Sequence, residues 1–528
     1  MEPSNNPTRA TPKSVNPRFH IGVIGGGTSG WMAAATLRKR LGCFVTLVES
    51  DRIPGVGVGE ATIPAMIDWI ENMGIDEDEF LRRCGGTYKL AIRFDDWITT
   101  KHRYWHPFGI CGVNIDGIDL VHFWQRGINE GWLDPTTKYT DFSLQKQLCD
   151  MASSPRPLNG PPVIANYAYH LDASRFAVFL SELATGQGVK HRVGDVVGAA
   201  RCEDGSISQV LIRDQEPLEA DLYIDCSGFS SVLIERSLQE PWIDWSDQLL
   251  CDRAVAVRMP VAPSNTLPYT ISTGLKAGWS WQIPLRENTG AGYVYSSKHI
   301  DSETARRELL QHVGLSEQDA ATRELVMRVG RRERSWVHNC VSIGLSSGFV
   351  EPLESTGIFL VQRALDDLVD CLPQQVDQPP NIEEFNQRLK VNYEEIRDFV
   401  LLHYVVSKRS DSSFWRAARQ VELPDSLASA MQRYVSHGEV HLPSDTSVFA
   451  EANHHFIMTG ADRLPASMRH NVEHANVAQP CIKRYDSRDF QRLFAQLRSQ
   501  HNQYSVALPK HRDVIDRINL VKPNFACL

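Results

Sequence analysis

The chain has 528 residues, of which 42% are hydrophobic and 23% are charged, and its formal net charge is −9. This composition is typical of a globular protein, and the acidic excess argues against a nucleic-acid-binding or polybasic membrane surface. No apolar run approaches the roughly 18 residues of a membrane span. Neither nucleic acid nor membrane is therefore an expected partner.

The 11 cysteines are scattered along the chain, without a CxxC pair or a cluster at zinc-ligand spacing. They are predicted to be reduced thiols of a cytoplasmic protein, and no metal site is expected. Residues 1–17 are polar, rich in Pro and Asn, and predicted to be a disordered tail. The domain prediction is a core over residues 18–375 and a mainly helical, substrate-side region over residues 376–528.

The ordered chain is predicted to begin with a strand, a glycine-rich turn, a helix and a second strand. Apolar residues 21–24 indicate the first strand, residues 31–40 the helix, and residues 44–48 the second strand. A chance glycine-rich turn is the alternative interpretation. The combination of all these elements in this order favours a dinucleotide-binding α/β unit.

The turn carries glycines in GxGxxG spacing. Gly25 permits the tight turn, Gly27 lets the backbone approach a pyrophosphate, and Gly30 allows close packing of the helix. The first helical N–H groups face the phosphates, and Glu49 at the end of the second strand is placed to bind a ribose. The predicted dinucleotide contacts from this unit are Gly25, Gly27, Thr28, Ser29, Gly30 and Glu49.

The segment LEADLYIDCSGFSS, residues 218–231, favours FAD over a nicotinamide cofactor. It predicts a strand that ends at Asp225 and is followed by small residues. In FAD-dependent oxidases and hydroxylases a distant strand of this kind returns to the bound dinucleotide. No second complete GxGxxG unit with its own ribose acid is visible. The predicted fold class is therefore α/β, with an FAD-binding, flavin monooxygenase-like Rossmann-type core and a mostly helical C-terminal portion.

Four further segments have interpretable patterns. Residues 53–75 predict a glycine-rich loop followed by an amphipathic helix, and alternation over residues 87–97 predicts one strand. Residues 169–184 predict a helix with Asp172 near its start. GWSWQIPL, residues 278–285, predicts a strand that Pro284 ends.

The segment FVEPLESTGIFL, residues 349–360, places two acids and two hydroxyls before an amphipathic helix. Ser355 or Thr356 is the predicted N-cap, and Gly357 carries no side chain that would block an approaching ion. A helix N-terminus of this kind favours anions.

Five motifs together resemble the flavin-dependent tryptophan-halogenase family over residues 20–460. They are GGGTSGW, GVGEATIP, TYKLAIRF, GWSWQIP and FVEPLESTGI. The WxWxIP pattern separates these halogenases from ordinary flavin hydroxylases. A flavin-dependent aromatic hydroxylase and a flavin-binding protein without activity are the alternatives.

The resemblance implies that reduced FAD and O2 form a flavin hydroperoxide, which chloride or bromide attacks to give hypohalous acid. The oxidant then reaches a lysine beside an electron-rich aromatic, of indole or tryptophan type. The matching lysine is Lys89, and the matching carboxylate is Glu354. Lys89 would orient the oxidant as an ammonium, or form a haloamine as an amine. A separate NAD(P)H-dependent flavin reductase is the implied partner.

The same resemblance assigns the remaining site residues. Thr356 and Gly357 match the halide site on the flavin side. The residues matched to FAD contacts, besides the turn and Glu49, are Val196, Leu345 and Ile358. The residues matched to substrate contacts are His106, Phe108 and Ser355.

Structural interpretations remain open for several of these residues. Lys89 is alternatively a solvent-facing strand lysine, and Glu354 a charge that compensates the dipole of the following helix. His106 and Phe108 are alternatively a buried structural pair. The two tryptophans of GWSWQIPL are assigned no chemical step.

The C-terminal region departs from relatives that take free tryptophan. Those carry a Tyr-Tyr pair and an acid followed by Phe-Trp, whereas residues 444–462 read SDTSVFAEANHHFIMTGAD. Glu451, His454, His455 and Phe456 are present without the aromatic pairs. Three substrate alternatives stay open: an indole without the amino-acid group, a tryptophan within a larger molecule, and another electron-rich aromatic.

Overall fold

The computed structural model describes residues 19–52, 59–115, 118–162, 164, 166–260, 266–318, 320–373, 378–444, 446–463 and 486–520. The strands in these ranges are β1 His20–Ile24, β2 Phe44–Glu49, β3 Gly59–Ala61, β4 Thr87–Lys89, β5 Ala91–Asp95, β6 Arg103–Pro107, β7 Ala168–Asp172, β8 Lys190–Val193, β9 Val196–Arg201, β10 Ile207–Ile212, β11 Leu222–Asp225, β12 Trp242–Asp244, β13 Arg253–Pro260, β14 Tyr269–Leu275, β15 Gly278–Pro284, β16 Asn288–Tyr295, β17 Thr322–Val326, β18 Gly330–Arg332, β19 Trp336–Val337, β20 Cys340–Ser342 and β21 Gly348–Phe349.

The α-helices in the same ranges are α1 Thr28–Leu41, α2 Ala65–Asn72, α3 Glu77–Arg83, α4 Leu120–Asn129, α5 Leu144–Asp150, α6 Ala173–Gly186, α7 Ser302–Val313, α8 Gly357–Cys371, α9 Ile382–Val406, α10 Ser413–Ala418, α11 Asp425–His437, α12 Glu451–Gly460, α13 Ser487–Ala507 and α14 His511–Leu520. None of the helices in the described ranges is long and apolar enough to cross a membrane.

A six-stranded sheet forms the nucleotide-side layer, in the order β19-β20-β11-β1-β2-β8. All its pairs are parallel except β19–β20. The predicted strands at 21–24 and 44–48 and the helix between them are confirmed, and α1 begins at Thr28, three residues earlier than predicted. The small residues of α1 pack closely between α6 and α8. This burial explains why the helix is apolar on nearly every side.

The strand predicted over residues 87–97 is wrong as a single element. It divides into β4, which pairs with β7, and β5, which pairs with β6 and β14. Leu90 lies at the break, where its N–H donates to the Pro268 carbonyl at 2.8 Å. Residues on both sides of the break are fully buried, so the apolar alternation did not show that the chain changes sheets.

β5 and β15 belong to a seven-stranded sheet in the order β17-β13-β16-β15-β14-β5-β6. The predicted strand at 278–285 is confirmed as β15. Its Trp279 and Trp281 are buried, and Pro284 is its last residue. β3, β7 and β4 form a small antiparallel sheet, and the remaining strands form two minor sheets.

Two other predicted boundaries are wrong. Residues 169–172 belong to β7, and the helix α6 begins only after Asp172, whose carboxylate caps it. These four residues are buried and lie between β3 and β4. As a strand they hydrogen-bond to both neighbours, which a helix at this position would leave unpaired. The strand within residues 218–231 ends at Asp225 as predicted, but it begins only at Leu222, where the parallel register of β11 with β1 starts.

The region after α8 is mainly helical in the described ranges, as predicted, and it packs on the core. The predicted helix after Gly357 is confirmed as α8. α9 packs against α8, and α14 returns to α3 near the N-terminus. The predicted boundary at 375/376, the tail over 1–17 and most of the loop starting at residue 53 lie outside the described residues.

Candidate active site

The glycine-rich turn has the geometry of a dinucleotide cradle. Gly25 has φ +112°, and a Cβ there would overlap the Cys226 carbonyl at the end of β11. A Cβ at Gly30 would overlap the carbonyl oxygen of Gly25, whereas nothing lies within 4 Å of a Cβ at Gly27. The turn is thus tight on its protein side and open beside Gly27. These residues fit the diphosphate of FAD, with Thr28 and Ser29 opening α1.

The other predicted FAD residues lie on four separate elements of the fold. Glu49 ends β2, where its carboxylate is 2.8 Å from His191 Nε2. Leu345 lies in a 3₁₀ turn that meets the start of α1, since a Cβ on neighbouring Gly344 would overlap Ser29. Val196 begins β9, just past the strand that pairs with β2. Ile358 is buried in the first turn of α8, and α8 packs on α1.

The segment 349–360 connects the two sides of the site. Glu354 ends a 3₁₀ turn, Ser355 takes the left-handed conformation at φ +60°, and α8 begins at Gly357. Thr356, one of the two predicted residues, is the N-cap, but its side chain makes no capping hydrogen bond. The unusual backbone at Ser355 directs its hydroxyl toward Lys89 instead.

Lys89 is fully buried, which excludes the solvent-facing interpretation. Its Nζ donates to Ser355 Oγ at 2.8 Å and to the Thr62 carbonyl at 3.2 Å. The Phe108 ring centroid lies 5.0 Å from the same nitrogen. An ammonium carries three N–H bonds, and these contacts take two of them. One donor position therefore remains for a ligand.

Glu354 is 1% exposed, so it is not a surface charge that compensates the helix dipole. Its Oε2 lies 2.8 Å from His106 Nδ1. Its Oε1 lies 2.7 Å from His403 Nε2, without the angle of an aligned hydrogen bond. Two histidines thus face the two carboxylate oxygens.

Two further side chains orient these imidazoles. Asn453 Nδ2 lies 2.7 Å from His106 Nε2, and an amide N–H can only donate. His106 therefore accepts at Nε2 and donates its Nδ1–H to Glu354. On the other side, the Tyr104 hydroxyl lies 2.9 Å from His403 Nδ1. When that hydroxyl donates, His403 carries its proton on Nε2, the nitrogen that lies 2.7 Å from Glu354 Oε1.

The buried groups have shifted pKa values that follow from these contacts. Burial raises the pKa of Glu354, but the His106 and His403 rings outweigh it and lower this pKa to about 2. Burial lowers the pKa of Lys89 to about 7, against the opposing effect of Glu354. Burial also lowers the pKa of His403. Near neutral pH the carboxylate is therefore ionised, and both the amine and ammonium forms of Lys89 are populated.

Lys89→Met is expected to raise thermal stability most at low pH. Lys89 has a lowered pKa in the folded state, so the unfolded chain binds the extra proton between pH 7 and 10.5. The resulting destabilisation is complete below pH 7 and disappears toward pH 10.5, and the shift corresponds to on the order of 5 kcal/mol. Melting temperatures of both proteins at pH 6 and pH 9 test this. A difference that does not shrink at pH 9 contradicts it.

A second buried carboxyl lies in the same segment. Glu351 Oε2 accepts from Trp279 Nε1 at 3.0 Å and from the Tyr404 hydroxyl at 2.6 Å. Burial raises its pKa to about 7, although both donors lower it. The Trp279 contact attaches the strand β15 to the segment that carries Glu354. This is a structural role for the tryptophan and involves no chemical step.

The structure therefore brings together Lys89, Ser355, Phe108, Glu354 and His106, all of which the sequence singled out. It leaves Thr356 buried and Gly357 exposed, with open space beside the glycine. The sequence did not indicate His403, Tyr104 or Asn453. A lone histidine in an apolar helix carries no distinguishing signal. Tyr104 could have been found, because it lies two residues before His106 and strand alternation puts both side chains on one face.

Fold and site together define a dinucleotide-dependent oxidoreductase whose buried lysine and carboxylate lie on elements other than the nucleotide turn. The tryptophan halogenase profile matches residues 20–477. Tryptophan 6-halogenase SttH of Streptomyces toxytricini is 37% identical, with 81% of this chain and 85% of that protein aligned. Tryptophan 7-halogenase RebH of Lentzea aerocolonigenes is also 37% identical, covering 80% of this chain and 83% of that protein.

Among solved structures, the flavin-dependent halogenase Xcc4156 of Xanthomonas campestris superimposes with a TM-score of 0.87 and 34% identity, covering 95% of this chain and 99% of that one. The chain belongs to the tryptophan halogenase family. It is a flavin-dependent halogenase, an enzyme that uses reduced FAD, O2 and a halide ion, and the hydroxylase alternative is not favoured.

Proposed function

We propose that Lys89 and Glu354 deliver a hypohalous acid to an electron-rich aromatic of indole or tryptophan type. The observation that carries this proposal is the buried Lys89 amine, with two donor positions taken by Ser355 and Thr62 and one left over. An oxidant bound at that position is held in one orientation and kept from bulk water. Released hypohalous acid would instead react without selectivity.

Reduced FAD, when bound, supplies the hypohalous acid from O2 and halide. The residues proposed to hold it are those of the Gly25–Gly30 turn, with Glu49, Val196, Leu345 and Ile358 around it. Thr356 and Gly357 are proposed to hold the halide, because the open space beside Gly357 adjoins the start of α8. The segment 354–357 then contacts both the halide side and the lysine side.

In the proposed transfer, Lys89 gives one proton and Glu354 accepts one. The aromatic ring attacks the halogen atom, the halogen–oxygen bond breaks, and the leaving hydroxide takes a proton from the Lys89 ammonium to form water. The ring then carries an extra proton, which Glu354 accepts as the new carbon–halogen bond is completed. Transfer of that proton back to the Lys89 amine restores both groups. His106 and His403 keep Glu354 ionised before this step.

The substrate is proposed to contact His106, Phe108 and Ser355, of which the last two lie against the lysine and the first binds Glu354. Relatives named tryptophan 6- and 7-halogenases support an indole-type ring. The departures at residues 444–462 support a substrate other than free tryptophan. A separate NAD(P)H-dependent flavin reductase is proposed to supply reduced FAD. The described cysteines are all free thiols, which supports a cytoplasmic location.

The test supplies the protein with FAD, NADH, a flavin reductase, O2 and either bromide or chloride. A panel of indoles, with and without the amino-acid group, is then analysed for products by mass spectrometry. Halogenated arenes are expected, at one ring position for each substrate. Products that are hydroxylated and never halogenated would overturn the proposal.

A further inference from the structure

The first residue of α14, His511, is fully buried, and both of its ring nitrogens face the main chain. Its Nε2 accepts the Tyr88 N–H at 3.0 Å, and its Nδ1 lies 2.9 Å from the Thr266 carbonyl oxygen. A backbone N–H only donates and a carbonyl oxygen only accepts, so the imidazole carries its proton on Nδ1. Burial lowers the pKa of His511 to about 4, against the opposing effect of the Thr266 carbonyl. The ring is therefore neutral near pH 7, and both contacts are hydrogen bonds.

This imidazole lies where two strands separate. β5 pairs with β14 in parallel, with Ala91 opposite Tyr269, and the same register continued three residues toward the N-termini places Tyr88 opposite Thr266. The Tyr88 N–H donates to the His511 ring instead, and the ring donates in turn to the Thr266 carbonyl. His511 thus replaces a direct hydrogen bond between the strands. The inserted ring accounts for the change of sheet after β4, because it holds β4 away from β14 and leaves β4 to pair with β7.

Lys89 lies between the two N–H groups that are held along this edge of the chain. The Tyr88 N–H before it donates to His511. The Leu90 N–H after it donates to the Pro268 carbonyl at 2.8 Å. On the opposite edge Lys89 pairs with β7. The main chain at Lys89 is therefore fixed from both sides, and one of the groups that fix it is the His511 side chain.

The position of this main chain decides where the lysine amine lies. Lys89 Nζ donates to Ser355 Oγ at 2.8 Å, and hydrogen bonds of this kind extend to about 3.2 Å. A displacement of β4 by about 1 Å would break this bond and move the remaining donor position of Lys89. Misplacements of this size can lower a rate by about 10²-fold even when their cause is far from the chemistry.

We propose that His511 is a positioning residue for Lys89, and that α14 contributes in this way to halogen transfer. This inference rests on the proposed function of Lys89 and Glu354. The family profile matches residues 20–477, so the assignment to the family makes no use of α14.

Groups other than this imidazole also anchor α14. The His511 N–H donates to the Ala152 carbonyl at 2.8 Å, and the Arg512 guanidinium donates to the Arg286 carbonyl at 3.2 Å. The buried apolar residues of the helix are Val514, Ile515 and Ile518. Exchange of the ring alone is therefore expected to remove the acceptor of the Tyr88 N–H and to leave the helix in place.

The test compares His511→Phe, which keeps a planar ring without nitrogens, with His511→Gln, whose amide can both accept and donate. The substrate is an indole that the wild-type enzyme halogenates, with reduced FAD supplied by a flavin reductase. His511→Phe is expected to lower kcat for the halogenated arene by about tenfold or more, with KM for the arene changed by less than about twofold. Escaping hypohalous acid, trapped with phenol red, is expected to increase. His511→Gln is expected to keep kcat within about threefold of the wild-type value.

Ile518→Ala is the matched control, because it removes buried packing from the same helix about two turns beyond His511. It is expected to lower the melting temperature while keeping kcat and the escape of hypohalous acid at wild-type levels. A loss of product equal to that in His511→Phe would show that any loosening of α14 has the same effect, and it would overturn the role of the imidazole.

The remaining outcomes separate this inference from the function on which it rests. Full product formation by a folded His511→Phe, or an equal loss in His511→Gln, overturns the positioning of Lys89 by this ring and leaves the halogenase chemistry intact. Absence of any halogenated arene with the wild-type enzyme overturns the proposed function and this inference with it. If His511→Phe does not fold, His511→Asn decides, because its shorter amide is expected to keep the bond to Thr266 and lose the one to Tyr88. Wild-type product formation by His511→Asn contradicts the proposal.

Discussion

Replacing Lys89 with alanine or methionine is expected to lower kcat/KM for arene halogenation by about 10³-fold or more. The lysine is buried, has one donor position left over and lies beside Phe108 and Ser355. Without it, the oxidant loses both its orientation and the proton that completes its leaving group. The methionine variant keeps most of the packing, so a loss of activity there reports on the amine.

The measurement follows halogenated product and consumption of O2 and NADH in the same reaction. Cofactor consumption is expected to continue in the Lys89 variants, because the nucleotide turn and the start of α8 remain intact. Lys190→Met, an exposed lysine on β8, is the matched control and is expected to keep full product formation. Selective halogenation that survives in Lys89→Met would show that the lysine has no role in delivery.

Glu354→Gln is the second substitution with a large expected effect, a loss of about 10²-fold in kcat with little change in KM. The amide keeps the shape of the side chain but cannot accept the ring proton. It also removes the anion that His106 and His403 face. Steady-state kinetics on an indole that the wild-type enzyme halogenates give both constants.

Glu351→Gln is the control for this result, because it changes a buried acid of the same segment that does not contact the lysine site. Glu351 is bound by Trp279 and Tyr404 and already has its pKa raised to about 7. Its replacement is expected to keep kcat and to change mainly the melting temperature. If both variants lose kcat equally, the effect arises from the segment as a whole, and Glu354 has no separate chemical role.

Much of the fold was predictable because its strongest signals are local. The strand–turn–helix–strand unit, the strand β15 and the helix α8 each follow from periodicity and glycine placement within about 30 residues. The errors occurred in strands that are buried on both faces, because such strands lose the alternation of polar and apolar residues. Residues 87–92 and 169–172 are buried on both faces, so nothing in their composition marks the change of sheet at Leu90 or the strand before Asp172.

The sequence by itself indicated the family and the nucleotide turn, and it predicted Lys89 and Glu354 as the paired amine and acid. The motifs that specify them are short and contiguous. The tertiary structure decided how these groups are held. Ser355, 266 residues beyond Lys89, bonds the amine, and His403 reaches Glu354 from a helix on which no motif is visible. Such contacts depend on how the helices pack on the sheets, which no local spacing records.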